Sequence, residues 1–340
     1  MIQAIHDTEP LAVIEFAGAG VQALAWLHGI AGSSRTILEA TDRYASQSLI
    51  EAIGYEPRRF TTPGVAQALA LTAYRRAEQL TDSGVPVIGL GCTATIATDR
   101  RKRGDHRCCI ATFDNERLVT TSLILSKGSR TRQAEERVVS GLMINALAEA
   151  SGVEGFSLDL LAGDRLKRQA FSVDDVRSLL RSETNWVSLT AEDRISSGQT
   201  CPKVALLSGS FNPLHDGHRR MAEVAGRLLG REVYYELPLV NAGKGGIDPL
   251  EALRRRSQFT DFATLMLTRT PLFGQKARVF PDSTFVIGID TATRLFQPKF
   301  YDDDPTKMWA SFDLIKARDC RFLVAGRVRP DDHFATLADI

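Results

Sequence analysis

Two histidines stand three residues apart, His215 and His218, in the segment Ser208-Gly-Ser-Phe-Asn-Pro-Leu-His-Asp-Gly-His218. The apolar run before the segment, Val204 to Leu207, predicts a buried strand, and the pattern after it is helical. Ligands of parallel sheets bind at the carboxyl ends of strands, and a helix N-terminus offers free N–H groups to phosphate. Because residues three apart share one face of a helical turn, both imidazoles can point at the same ligand. We therefore expect the two histidines to stabilise negative charge on a phosphoryl group during its transfer.

A short histidine motif also occurs by chance, so the alternative is a pair of surface histidines at the cap of a helix. The longer string, in its context of strand, loop and helix, favours the phosphate site. Gly209 lets the backbone come close to a phosphate, and Gly217 leaves room for a nucleotide between the histidines.

Strands alternate with helical patterns along the chain, which predicts an α/β protein with parallel sheets and helices on both faces. The length of 340 residues suggests about two domains. The predicted strands are 11–16, 36–38, 85–91, 108–113 and 119–125, then 204–207, 233–239, 284–289 and 321–325. The predicted helices are 21–28, 64–80, 131–150, 216–229 and 249–268. We expect a first domain over 1–155, a charged connector over 156–200 and a second domain over 201–340.

The composition argues against several classes of protein. Its 42 basic and 41 acidic residues give a net charge of +1, so we expect neither a nucleic-acid partner nor a membrane partner. No apolar run reaches the roughly 18 residues that span a bilayer, and the N-terminus lacks the pattern of a secretory signal. The five cysteines are odd in number and form no Cys-x-x-Cys pair, which favours neither disulfides nor a structural metal site. These features predict a cytoplasmic protein.

The string GSFNPLHDGH resembles the signature of the HxGH nucleotidyltransferase superfamily, and is most similar to that of nicotinamide/nicotinate mononucleotide adenylyltransferases. The similarity runs from Lys203 to Arg327. It implies a Rossmann-like, cytidylyltransferase-like domain with a role in NAD biosynthesis. The implied activity moves a nucleotidyl group from a nucleoside triphosphate, ATP favoured, to a phosphorylated small-molecule acceptor and releases pyrophosphate. The implied cofactor is Mg²⁺ bound mainly by the phosphates.

The resemblance also implies a set of site residues. The catalytic residues would be the two histidines and Lys244 of the segment Asn241-Ala-Gly-Lys244. The nucleotide-binding residues would be Ser208, Gly209, Ser210, Phe211, Asn241, Arg255, Gly288, Asp290 and Arg327. Three of these residues also allow a purely structural interpretation. Lys244 can be a solvated loop residue, Arg255 lies in a run of arginines typical of a solvated helix face, and Asp290 can cap a helix.

One signature of these enzymes is missing. They usually carry, near the C-terminus, a motif I-S-[ST]-x-x-[IL]-R that holds the β- and γ-phosphates at a helix start. Ile195-Ser-Ser-Gly-Gln-Thr200 is similar only superficially, because it precedes the first motif and lacks the arginine. This difference, with the altered CinA-like motifs described below, favours an alternative, a nucleotide-binding or sensing protein without turnover. A cytidylyltransferase is a further alternative, because the HxGH superfamily includes such enzymes.

Residues 10–150 resemble the C-terminal domain of CinA proteins, a family that includes nicotinamide mononucleotide deamidases. Glu15-Phe-Ala-Gly-Ala-Gly20 stands where the family has E-S-x-T-G-G, and Gly89-Leu-Gly-Cys-Thr93 where it has a glycine-rich loop. Phe16 replaces the serine of the first motif, and Leu49 replaces the lysine of a later one. Since phenylalanine cannot act as a nucleophile and leucine cannot activate one, we expect no deamidase activity. The domain would bind a nucleotide or serve as the scaffold of a homo-oligomer.

Overall fold

The computed structural model describes residues 1–100, 103–191, 194–240, 246–328, 332 and 334–340. The chain divides into two compact units, Met1–Val173 and Asp174–Ile340. Each unit is a mixed α/β structure with its own sheet and its own core, as the alternating pattern predicts. Among the described residues, no helix has both the length and the apolar character needed to cross a bilayer.

The first unit is built on one mixed sheet. Its helices are α1 (Ile2–His6), α2 (Val21–His28), α3 (Ser46–Ile53), α4 (Pro63–Leu80) and α5 (Arg132–Ala150). Its strands are β1 (Leu11–Ala17), β2 (Ile37–Asp42), β3 (Val87–Thr95), β4 (His106–Phe113), β5 (Arg117–Leu125) and β6 (Arg165–Ser172). The sheet order is β2-β1-β3-β4-β5-β6. Strands β1, β2 and β3 are parallel, and the later neighbours are antiparallel.

Helix α4 packs directly on the backbone of β3. A Cβ at Gly89 would lie 2.1 Å from the carbonyl oxygen of Ala70, and one at Gly91 would lie 2.2 Å from that of Ala66. Both glycines therefore allow a close approach of helix and strand that a larger residue would prevent. Residues 89–93, which stand where the CinA family has a glycine-rich loop, lie in the interior of β3, and the predicted strand over 85–91 is confirmed.

The opposite face of this sheet is covered by α2 and α5. The apolar core there includes Ile14 and Phe16 of β1, Cys92 of β3 and Met143 of α5. Burial raises the pKa of the Cys92 thiol well above its ordinary value, which favours an inert structural cysteine over a nucleophile. Leu49 of α3 packs in a separate apolar cluster and is 2% exposed.

The second unit is built on a larger sheet. Its helices are α6 (Asp174–Leu180), α7 (Asp216–Leu229), α8 (Pro249–Arg256), α9 (Phe273–Val279), α10 (Ile289–Leu295) and α11 (Pro305–Ala317). Its strands are β7 (Trp186–Leu189), β8 (Ile195–Gly198), β9 (Ala205–Ser208), β10 (Val233–Pro238), β11 (Leu265–Thr268), β12 (Thr284–Gly288) and β13 (Arg321–Ala325), with a separate ribbon of β14 (Arg327–Val328) and β15 (Phe334–Ala335).

The sheet of the second unit is doubly wound. Its order is β13-β12-β9-β10-β11-β7-β8, with a parallel centre from β13 to β11 and antiparallel β7 and β8 at one edge. From β9 the chain builds β10 and β11 on one side, then β12 and β13 on the other. The winding reverses between β9 and β12, so their carboxyl ends border the crevice where such sheets bind ligands. The predicted fold class is confirmed.

The predicted connector over 156–200 is wrong as a separate segment. Its first part contains β6, which pairs with β5 in the first sheet, and its later part contains α6, β7 and β8 of the second unit. The chain passes from one unit to the other at Val173 and Asp174. Strand β6 was missed because its start, Arg165-Leu-Lys-Arg168, is charged and exposed, as is common for edge strands.

A single helix over 249–268 is also wrong. Helix α8 ends at Arg256, a short 3₁₀ turn follows, and the last four residues of the range form β11. Strand β11, Leu-Met-Leu-Thr, is buried throughout. A short apolar run of this kind cannot be separated from a buried helix by periodicity alone.

An ion pair lies in the core of the second unit. The Nζ of Lys276 on α9 is 2.6 Å from Oε1 of Glu236 on β10, and the two side chains are 2% and 0% exposed. The hydroxyl of Thr268 donates to the same oxygen at 2.5 Å. Burial lowers the pKa of Lys276, although the carboxylate of Glu236 opposes that shift.

Candidate functional site

A cavity of about 710 Å³ lies at the carboxyl ends of β9 and β12, beside the start of α7. The structure brings together there six of the predicted catalytic and nucleotide-binding residues. They are Ser208, His215, His218, Gly288, Asp290 and Arg327. Farther along α7 the lining becomes apolar, with Val224 and Leu228 facing residues of β12 and β13. Asn241 and Lys244, which were also predicted, lie outside the described residues.

The two histidines form a stacked pair at the first turn of α7. Their ring centroids are 3.7 Å apart, and the rings are inclined by 28°. The backbone N–H of His215 donates to Nδ1 of His218 across 3.4 Å. Because Nδ1 accepts this bond, the neutral ring of His218 carries its proton on Nε2. A Cβ at Gly217 would lie 3.0 Å from the ring of His215, so a larger residue there would press on the pair.

His218 is the more buried histidine of the pair. Burial, and to a smaller extent the neighbouring His215, lower the pKa of His218 from 6.5 to about 4. The ring is therefore neutral at pH 7 and offers a hydrogen-bond donor without a full charge. Such a donor, held in place before the reaction, stabilises negative charge that develops in the transition state.

We expect nuclear magnetic resonance of the His218 imidazole to show a midpoint near pH 4 in the ligand-free protein. Addition of pyrophosphate should raise that midpoint, since a nearby anion favours the protonated ring. The folded pKa lies below the unfolded value, so the unit should lose stability as the pH falls from 6.5 toward 4. A midpoint at 6.5 would contradict the burial of the ring, and a midpoint that pyrophosphate does not move would contradict the expected contact with phosphate.

The loop between β9 and α7 is held by an aromatic cluster. Phe211 is 0% exposed, and its ring meets those of His218, Tyr235 and Phe259 edge-on at centroid distances of 5.1, 5.5 and 5.2 Å. Its backbone is left-handed, with φ of 47°, a conformation that costs a non-glycine residue about 1–3 kcal/mol. A Cβ at Gly209 would lie 2.6 Å from this ring. The side chain of Phe211, predicted to surround the nucleotide, thus supports His218 from the core instead.

Gln258, which sequence reasoning missed, fixes the same loop through two buried hydrogen bonds. Its Oε1 accepts from the N–H of Leu214 at 2.8 Å, and its Nε2 donates to the carbonyl oxygen of Phe211 at 2.9 Å. The residue follows α8 in a 3₁₀ turn, so the position of the histidine loop depends on that turn. No sequence signal marks this glutamine among the others of the chain.

Replacing Gln258 with methionine should destabilise the second unit by about 2–4 kcal/mol, because it leaves a buried N–H and a buried carbonyl without partners. Urea denaturation followed by hydrogen exchange in β9 and β10 measures this loss. Gln297→Met, at a part-buried glutamine of the same unit, is the control. Equal, small effects of both substitutions would show that the loop does not depend on Gln258.

Arg254 and Arg255 also bind the loop. Arg255 donates to the carbonyl oxygen of Ser210 at 3.0 Å, and Arg254 donates to Oδ1 of Asn212 at 2.7 Å. Both arginines are paired with Glu251. Burial raises the pKa of Glu251, but the hydrogen bonds from both arginines outweigh burial and lower this pKa to about 2. Arg255, expected to neutralise phosphate charge, is thus held by a carboxylate and by the loop backbone.

Two cations and one carboxylate complete the described lining of the cavity. Arg327 forms an ion pair with Asp290 at 2.5 Å, and both side chains are more than half exposed. Helix α10 starts at Ile289 with Gly288 as its N-cap, so Asp290 lies in the first turn and does not cap the helix. Arg220, which sequence reasoning missed, lines the cavity from α7. The buried hydroxyl of Ser208 has no hydrogen-bond partner among the described residues.

In the first unit, the corresponding helix start is filled by a side chain of the protein. Oε1 of Glu136 on α5 accepts from the N–H groups of Gly20 and Gln22, at 2.9 and 3.2 Å, at the N-terminus of α2. Glu15, the acid of the first CinA-like motif, is paired with Arg43 at 2.7 Å and is 1% exposed. A carboxylate therefore occupies the position where a phosphate would bind a helix start.

Comparison with known proteins gives structural neighbours of low identity and no sequence relative. No protein-family model matches the chain, and no curated protein matches it. A competence/damage inducible protein of Agrobacterium tumefaciens is 16% identical, with 44% of this chain and 87% of that one covered and a TM-score of 0.33. A competence or damage-inducible protein of Enterobacter asburiae is 13% identical, with 42% and 88% covered and a TM-score of 0.34.

Proposed function

We propose that the second unit is a nucleotidyltransferase. It would move a nucleotidyl group from a nucleoside triphosphate, with ATP favoured, to a phosphorylated small molecule and release pyrophosphate. The observation that carries the proposal is the stacked pair of His215 and His218 in the cavity at the switch point of the sheet. Hydrogen-bond donors, cations and a helix start converge there, in a volume within the usual range for small-molecule sites.

The residues suggest a direct displacement. An oxygen of the acceptor phosphate attacks the α-phosphorus of the triphosphate, the bond to the bridging oxygen breaks, and pyrophosphate leaves with the electron pair. Nε2 of His218 would donate to the phosphoryl oxygens as their charge grows, and His215 would act beside it. The Phe211 ring holds that of His218, and Gln258 holds the loop backbone, so less reorganisation would be needed at the transition state.

Mg²⁺ would supply further neutralisation of the phosphate charge. The described residues contain no group of three or more metal-ligating side chains, and Asp290 is the carboxylate in the described lining of the cavity. This donor set fits an ion that is held mainly by the triphosphate itself.

The test is pyrophosphate release by the purified full chain with Mg²⁺, using ATP or CTP and a panel of phosphorylated acceptors that includes nicotinamide mononucleotide. Turnover with ATP supports the proposal and names the acceptor. Turnover with CTP alone would make the protein a cytidylyltransferase. Nucleotide binding without turnover on any acceptor would favour the sensing alternative.

For the first unit we propose a role without deamidation. Phe16 and Leu49, at the positions of the expected serine and lysine, are 3% and 2% exposed and pack in apolar clusters. The start of α2 is taken by Glu136. Incubation with nicotinamide mononucleotide should release no ammonia, and release above the blank would contradict this role.

A further inference from the structure

Three side chains that line the cavity of the second unit, those of His218, Arg327 and Arg220, differ in whether they carry a positive charge and whether a carboxylate balances it. His218 is neutral at pH 7, because burial and His215 lower its pKa to about 4. Arg327 shares its charge with Asp290 in an ion pair at 2.5 Å. Arg220 is exposed and lines the cavity, and no hydrogen bond or ion pair joins it to another described residue. Within the described lining, Arg220 is thus the cation whose charge is not already balanced.

The phase of α7 places Arg220 on the cavity side. Gly217, Met221 and Val224 line the cavity with it, as expected for residues three and four apart on one helix face. Its neighbour Arg219 points elsewhere, with its guanidinium 4.2 Å above the ring of Phe262. Arg220 lies five residues beyond His215, a rise of about 7.5 Å along the helix axis. It can therefore contact a ligand group that lies next to the one held by the histidines.

We propose that Arg220 binds the phosphates of the triphosphate that are not transferred, and so selects triphosphates over monophosphates. This inference rests on the proposed function, since it assigns the second phosphate contact of the same site. A triphosphate carries most of its charge on its β- and γ-phosphates, and an arginine can bind two phosphate oxygens at once. The neutral ring of His218 cannot balance that charge, whereas the uncompensated guanidinium of Arg220 can.

The experiment measures binding of ATP, AMP and inorganic tripolyphosphate to the full chain by calorimetry, with Mg²⁺ present. Arg220→Ala should weaken the binding of ATP and of tripolyphosphate about ten- to one-hundred-fold, as expected for loss of a charge-assisted contact. The affinity for AMP should change less than about twofold. Arg220→Lys should keep part of the affinity, because it keeps the charge but loses the two-pronged geometry. Arg227→Ala is the control, since Arg227 is exposed on the same helix, lies 4.0 Å from Glu223 and does not line the cavity.

The outcomes separate this inference from the proposed function. If Arg220→Ala loses affinity equally for ATP and AMP, or loses affinity for neither, the role of Arg220 is overturned even if pyrophosphate release is observed. Binding of tripolyphosphate that depends on Arg220, together with no pyrophosphate release from any pair of substrates, supports the inference and overturns the transferase. A wild-type chain that binds neither ATP nor tripolyphosphate overturns both.

Discussion

His218→Ala is expected to lower kcat for pyrophosphate release by about 10²–10³-fold, the usual effect of removing one fixed donor from a developing negative charge. In the proposed reaction the Nε2–H of His218 would donate to the phosphate, because Nδ1 accepts from the N–H of His215 and the ring packs against Phe211. The KM for the triphosphate should change much less than kcat, since the donor acts mainly on charge that grows in the transition state.

Two variants sharpen this prediction. His218→Gln, whose amide can donate near the position of Nε2, should keep more activity than alanine. His28→Ala, at an exposed histidine of the first unit that contacts Ser33 at 3.1 Å, should keep full activity. If His218→Ala unfolds at the same urea concentration as the wild type and lowers kcat less than fivefold, His218 is not a catalytic residue.

Lys276→Met is expected to destabilise the second unit by about 3–5 kcal/mol, because it leaves the carboxylate of Glu236 buried without its partner. Glu236 is 0% exposed, and Thr268 alone would remain bonded to its Oε1. Hydrogen exchange in β10 and β11 under increasing urea measures this loss within the second unit, which matters because two units need not unfold together.

The double variant Glu236→Leu with Lys276→Met should recover most of the stability, since removing both charges also removes the cost of burying them. Lys307→Met is the control, because Lys307 and Asp302 form an ion pair that is largely exposed to solvent. Exposed pairs contribute little, so this variant should unfold like the wild type. If the double variant is as unstable as Lys276→Met, the cost of an unpaired buried charge does not explain the loss. The contact between the two side chains would then itself stabilise the packing of β10 against α9.

The histidines were predictable because strand, loop and helix start are contiguous in the sequence, so their order alone places His215 and His218 at the carboxyl end of β9. Asp290 and Arg327 follow strands of the same parallel sheet, and parallel strands bring their carboxyl ends to one edge. The resemblance identified both residues, and the sheet order places both at the cavity.

Other features depend on information that a single sequence does not contain. Arg219 and Arg220 are adjacent and chemically identical. Only the phase of α7 places Arg219 over the ring of Phe262 and Arg220 in the cavity. Gln258 acts through two backbone groups, which have no residue-specific pattern. Phe211 belongs to the signature string, yet its ring lies in the core because the left-handed backbone at that residue turns it inward.

The carboxylate of Glu136 at the start of α2 occupies a place that a free anion could otherwise take. A tethered group competes with free anions at an effective concentration on the order of millimolar or higher. Glu136 therefore acts as a permanent internal ligand for Gly20 and Gln22. The stability of a site that must bind a metabolite rises and falls with the level of that metabolite. Because the first unit supplies its own carboxylate at this helix start, we expect free phosphate to leave the stability of α2 unchanged.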